Sequence, residues 1–498
     1  MRIWAACVVA AAMIGAGGCA AQSRLAAPPI GGSQASWRYD VVADDQGRDL
    51  RIEAWLPRGS LADLVVRHGA ERFVDEVQVQ DHDSWRSVPR QGAALHAPEC
   101  AYGCHLRYHF ALARAAESLH DTDMAIAWGN VVEASPSVWL LHPALAPAGT
   151  RYRFQVHTPQ SLSFATGIFL AEDGGPDTYE ADASNIGVAP YAAFGPLRIR
   201  RVEAVSGATL EVAIAPGAYQ ASDDALVDWV TKSARTMASF LGCFPLERVM
   251  VLVVPARGDQ VQHGETMGDG GASIIVEVGE HADETALACD WVLPHEMAHL
   301  AVPSVSRQHH WIEEGIAVYV QPIARARAGD LTPQQVWREF ATGMPKGVPQ
   351  RSDRGLDDTP DWARTYWGGA TFCLMADLEI RKRTANHLGL EDALRGVLAS
   401  GGSIARIWRF DRLLDTADAS VGVSVLRHMH GEMGRVPWTI DLPRIFRDLG
   451  VVTKGDEVVL VDDAPLAAVR RSITEPLPPD TPGLAACHYG GAGRVAQR

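Results

Sequence analysis

The chain reads His295-Glu296-Met297-Ala298-His299 and, after a short interval containing Pro303, Trp311-Ile312-Glu313-Glu314-Gly315-Ile316-Ala317-Val318-Tyr319. On a helix, residues i and i+4 share a face, so His295 and His299 can hold one ion between them. Glu296 then stands beside the water such an ion activates, placed to take its proton. Two imidazoles and a carboxylate suit zinc, and three protein ligands leave a fourth position for water. The two segments therefore predict a pair of helices around one Zn2+ per chain and the chemistry of a zinc hydrolase.

The histidine pair alone leaves the third ligand open. A metzincin pattern needs Gly at 302 and His at 305, where this chain has Val302 and Val305. His309 or His310 could reach back from the connecting loop. Glu313 and Glu314 are helix neighbours pointing about 100° apart, so only one of them faces the ion comfortably.

Trp-x-x-Glu-Gly-x-Ala-x-Tyr after His-Glu-x-x-His resembles the gluzincin zinc peptidases with a thermolysin-like catalytic domain, such as aminopeptidase N and the bacterial glycyl aminopeptidases. The resemblance implies Glu314, directly before Gly315, as the third ligand. The interval from His299 is shorter than in aminopeptidase N, which a shorter interhelical loop explains. Tyr366-Trp367-Gly368-Gly369-Ala370 is similar to the family's Tyr-x-x-Gly-Ala helix, which implies that the Tyr366 hydroxyl serves the oxyanion. Together with Glu296, Tyr366 completes the catalytic residues. The family's fold implies an α+β multidomain chain: an N-terminal antiparallel β-domain, a thermolysin-like α/β catalytic domain and a C-terminal helical region.

Aminopeptidases of this clan place a glutamate after paired glycines upstream of the zinc helix, to hold the substrate's free amine. Here Gly270-Gly271 are followed by Ala272-Ser273. Gly270, Gly271 and Ser273 read as a substrate-binding segment beside an edge strand, where backbone pairs with an extended peptide. Glu265, Asp269 or Glu277 could substitute for the missing glutamate, though each reads first as a solvated loop charge. The expectation is therefore a peptidase acting on a peptide or protein, without commitment to an aminopeptidase. An inactive, peptide-binding relative of the fold and a zinc hydrolase of a non-peptide bond are the competing readings.

The rest of the chain sets the context. Its 498 residues are 47% hydrophobic and 21% charged, with a net charge of −15, a globular balance that argues against nucleic-acid partners. Arg2, the apolar stretch Ile3 to Ile14 and the run Gly15-Ala16-Gly17-Gly18-Cys19 describe an export signal over residues 1–21. Cys19 resembles the acylated cysteine of bacterial lipoproteins, with cleavage after Ala21 as the rival. Either way the protein is expected in the bacterial cell envelope; acylation would make it an outer-membrane lipoprotein facing the periplasm, with the lipid as its contact with the membrane. Export permits a disulfide between Cys100 and Cys104, and the scattered Cys243, Cys289, Cys373 and Cys487 read as buried hydrophobes.

Composition divides the remainder. Residues 22–36 read as a tether, 37–200 as a β-rich domain with period-two stretches such as Leu50 to Leu56, and 205–330 as the catalytic domain. Within the latter, strands are expected at Thr209 to Ile214, Val249 to Val254 and Ser273 to Val278, with a helix from Asp223 to Leu241. Residues 331–475 read as helical and 476–498 as a flexible tail.

Overall fold

The computed structural model describes residues 36–476, apart from 176 and 456. The export segment with Cys19, the tether through residue 35 and the tail from 477 lie outside the described residues.

The N-terminal region is built on alternation. Leu50–Leu56 buries every second side chain, as does most of Ser36–Ala43, because one sheet face meets the core and the other meets water. Seven strands form the main sheet, in the order Thr178–Asp182, Arg151–His157, Ser36–Ala43, Leu50–Leu56, Cys104–Phe110, Val74–Asp81 and Ser84–Ser87. One pairing departs from the antiparallel expectation: Ser36–Ala43 runs parallel to Arg151–His157. A second sheet of four strands contains Ser163–Thr166, Ala192–Gly195, Val131–Ala134 and Ala125–Trp128.

The catalytic region is a five-stranded mixed sheet, ordered Arg198–Glu203, Thr209–Ile214, Arg248–Ala256, Ser273–Gly279 and Val261–Met267. Its first strand, Arg198–Glu203, pairs antiparallel with the second. The central strand Arg248–Ala256 is an unbroken apolar run from Val249 onward, with its first seven residues buried. Such a strand needs cover on both faces. One face packs against the helix Asp223–Leu241, capped by the Ser222 hydroxyl at Ala225 N–H, and against the two motif helices. The other face carries Ala213, Met250, Leu252, Val254 and Ile275, which pack against Val131, Ala165 and Ala193 of the four-stranded sheet and the adjoining Tyr191. The N-terminal region is thus the second cover of the catalytic sheet.

Beyond residue 331 the chain is mainly helical, with Pro333–Gly343, Gly369–Arg383, Leu390–Ala399, Phe410–Val421 and Leu426–Met433, plus a short hairpin of Val451–Lys454 and Glu457–Leu460. Cys100 and Cys104 form a disulfide. Cys243 is disulfide-bonded and Cys289 is exposed, so neither is the free buried hydrophobe its isolation suggests; Cys373 is. Cys487 lies outside the described residues.

Candidate active site

The helix Val292–His299 is buried on every side. Its start is held by Asp290, whose two carboxylate oxygens accept the Val292 and Leu293 N–H groups at 2.8 and 3.0 Å. The next long helix, His310–Arg327, carries Glu314 against it. His295 Nε2 and His299 Nε2 lie 3.3 and 3.8 Å from Glu314 Oε2. Ligands about 2.0–2.1 Å from a tetrahedral ion stand roughly 3.3–3.4 Å apart, so the three atoms already outline the edges of such a site. Glu314 Oε2 is buried without a hydrogen-bond partner. A buried carboxylate oxygen in that condition needs a cation or a donor, and the donor set fits a divalent ion. Glu313, the alternative third ligand, turns away: its Oε1 accepts the Val305 N–H at 2.8 Å.

Charge in the cluster follows from burial and proximity. Burial would raise the Glu314 carboxyl, but His299, His295 and His310 hold it far below the usual carboxylate range. Burial pushes the His299 imidazole down to about 4. For His295 burial also pulls down, yet the Glu314 and Glu296 carboxylates outweigh it and the net direction is up. Glu296 is raised to about 7, chiefly by desolvation.

Glu296 is gripped by a residue that the motif does not announce. Thr266 Oγ1 donates to Glu296 Oε2 at 2.7 Å and lies 3.0 Å from the Glu296 carbonyl oxygen. Two residues earlier on the same strand, a Cβ on Gly264 would stand 2.6 Å from Glu296 Cγ and 2.9 Å from Val292 Cγ1. Only glycine lets Val261–Met267 approach the helix Val292–His299 so closely. Among the described residues this strand is the sheet edge, paired only with Ser273–Gly279, and it borders the cluster of His295, His299 and Glu314.

Gly270, Gly271 and Ser273 are not that edge. Gly270 O accepts the Phe169 N–H, Gly270 N–H goes to Ala405 O, and Ala272 N–H goes to Gly167 O. Ser273 is fully buried, and its hydroxyl accepts the Tyr191 N–H at 2.7 Å. The paired glycines permit a close backbone approach, as their type suggests. The partners are the chain's own segments, Gly167 and Phe169 of the N-terminal region and Ala405 of the helical region.

Tyr366 sits in a π-helical turn, Arg364–Gly368, that leads into Gly369–Arg383; such turns recur at functional sites. Arg364 anchors the turn through an ion pair with the buried Asp353 at 2.6 Å. The Tyr366 ring stacks on His295 with centroids 6.2 Å apart. Burial and the adjacent Glu314 and Glu296 carboxylates raise its hydroxyl above the usual phenol range, so it stays a proton donor.

Below the edge strand lies a group of acids that the sequence reading leaves as loop charges or does not mention. Pleating sends Glu265 to the face opposite Gly264 and Thr266. Its charge acts on Glu133, Tyr191, Glu296 and Tyr366 together. Glu133, from the strand Val131–Ala134, is fully buried, and neither carboxylate oxygen has a well-aligned hydrogen bond, the Ala192 N–H being only close by. The Tyr191 hydroxyl is likewise buried without a well-aligned partner. Desolvation, with Glu265 adding to it, pushes Glu133 well above the usual carboxylate range. Asp269 is held elsewhere, by Asn185 Nδ2 at 3.0 Å.

A second constellation, His309, Asp357 and His430, also has metal-like composition. Here every relevant oxygen is satisfied. Asp357 Oδ1 lies 2.9 Å from both His309 Nδ1 and Trp311 Nε1, and Oδ2 lies 2.8 Å from His430 Nε2. It works as a buried tether for the start of the Glu314 helix.

No family model matches the sequence, and no curated protein matches it. Among solved structures, the fold is similar to the crystal structure of an aminopeptidase N family protein from Idiomarina loihiensis. The TM-score is 0.62 at 13% identity, over 84% of this chain and 78% of the other. The shared architecture is the β-rich N-terminal region, the mixed α/β middle and the helical C-terminal region.

Proposed function

We propose that the protein is a zinc-dependent metallopeptidase of the bacterial cell envelope that acts at the free amino end of peptides. The carrying observation is the convergence of His295 Nε2, His299 Nε2 and an unpartnered Glu314 Oε2 beside a glutamate held by Thr266. Zinc on these three ligands would supply Lewis acidity toward the scissile carbonyl and a water acidic near neutral pH. Glu296 takes the proton of the attacking water and returns it to the leaving amine. Tyr366 donates its hydroxyl to the developing oxyanion. The exposed edge of Val261–Met267 offers backbone pairing to an extended substrate.

The free-amine preference rests on Glu133 and Glu265. Glu133, both of whose buried oxygens lack a well-aligned partner, and Glu265, whose charge acts on it, favour a cation between them, and a peptide's α-ammonium is the cation a peptidase meets. Envelope location rests on the N-terminal signal pattern, with the disulfides consistent with an oxidising compartment. The deciding experiment is Glu296→Gln assayed on unblocked peptides. Retained zinc with turnover reduced by orders of magnitude supports the reading; near-wild-type cleavage rejects it.

A further inference from the structure

The two oxygens of Glu314 have different neighbours. Oε2 faces His295 and His299, whereas Oε1 lies 3.1 Å from His310 Nε2. The other nitrogen of that ring, Nδ1, lies 2.6 Å from Glu313 Oε2, and Glu313 Oε1 is fixed by the Val305 N–H at 2.8 Å. A continuous chain of contacts thus runs from the backbone after Pro303, through Glu313 and His310, to the ligand carboxylate. Both nitrogens of His310 face carboxylates, so the ring acts there as a donor to each.

The last torsion of a glutamate is broad and two-fold, so an unrestrained Glu314 could turn either oxygen, or an intermediate orientation, toward the histidines. We infer that His310, held by Glu313, is a positioning residue that locks the Glu314 carboxylate with Oε2 turned to the ion site. The inference rests on the ligand set proposed above. It assigns a task to two of the three residues that compete with Glu314 in the sequence, His310 and Glu313: neither is a ligand, and each orients the one that is. The exposure of the His310 side chain, 50%, against 8% for Glu314 makes a purely packing role a poor account of it. Partners of this kind typically contribute 10–100-fold to metal affinity.

The test is the zinc dissociation constant, measured by competition with a chromophoric chelator, for wild type, His310→Ala, His310→Gln and Glu313→Ala. His310→Ala should bind zinc roughly 10–100-fold more weakly. His310→Gln, which keeps a donor for Oε1, should recover most of that loss, and Glu313→Ala should weaken binding by a smaller factor. Thermal melting of the zinc-free proteins should be unchanged, which separates positioning from folding. Wild-type affinity in His310→Ala overturns the inference while leaving the ligand set intact. Zinc retained in Glu314→Ala but abolished in His310→Ala overturns both, by making His310 the ligand. A wild type that binds no zinc rejects the ligand set and the inference with it.

Discussion

Gly315 and Gly369 meet backbone to backbone. A Cβ on Gly315 would stand 2.5 Å from Gly369 Cα, and one on Gly369 would stand 2.8 Å from Gly315 Cα. The first directly follows Glu314, and the second begins the helix that extends the turn bearing Tyr366. Their contact brings together Glu314 and Tyr366, the proposed ligand and oxyanion donor. Gly369→Ala should cost about 1–3 kcal/mol through overpacking and reduce turnover beyond the fraction unfolded, because it separates the two helices. Urea unfolding and a turnover assay on the folded fraction check both parts; an unperturbed rate would mean the spacing is not needed.

Tyr366→Phe removes a single hydroxyl and leaves the stack on His295 in place. Turnover should fall by roughly 10²–10³-fold with zinc content unchanged. Steady-state kinetics beside metal analysis tests it, and an unchanged rate would make Tyr366 a packing residue.

Glu265 and Glu133 should separate free from blocked amino ends. Glu265→Gln should lower kcat/KM on unblocked peptides by about 10–100-fold, the loss of one charged hydrogen bond. N-acetylated peptides should be poor substrates for every variant. Glu133→Gln should not destabilise the fold, since it removes a buried carboxylate that no cation neutralises. Comparable rates on blocked and free peptides would assign the protein to endopeptidase action.

Acid should loosen the helical region through Glu391. This carboxylate is 2.8 Å from both Arg327 and Arg381. Burial alone would raise it, but the two guanidiniums hold it at about 2 against an ordinary 4.5. A depressed folded value means its stabilisation is complete above about pH 4.5 and drains away as the pH falls toward 2. Glu391→Gln leaves two arginines short of a counter-charge and should cost about 3–5 kcal/mol at neutral pH. It should also flatten the acid limb of a thermal-stability profile, and a profile like the wild type's would show that the network carries little.

Much of this was written in local patterns. Thr209–Ile214 and Asp223–Leu241 have the expected bounds, with Ser222 capping the helix at the Ala225 N–H. The histidine helix follows from i, i+4 spacing alone. The edge strand Val261–Met267 did not, because it reads Val-Gln-His-Gly-Glu-Thr-Met: none of its side chains is fully buried, so no apolar alternation marks it. Its glycine signal was overshadowed by Gly270-Gly271, which looked like a ligand-binding loop but mark the approach of Gly167 and Phe169. Glu133 was invisible for a different reason. It belongs to the N-terminal region, remote in sequence from the zinc helices, and only the packing of the four-stranded sheet on the catalytic sheet carries it toward Glu265.

The most direct test of the account is metal content. The purified mature domain, residues 22–498, should be compared with its His295→Ala and Glu314→Ala variants. Near-stoichiometric zinc in the parent, lost in both variants, is the predicted result. Zinc persisting in Glu314→Ala, or absent from the parent even after reconstitution, would contradict the three-ligand centre on which the peptidase reading stands.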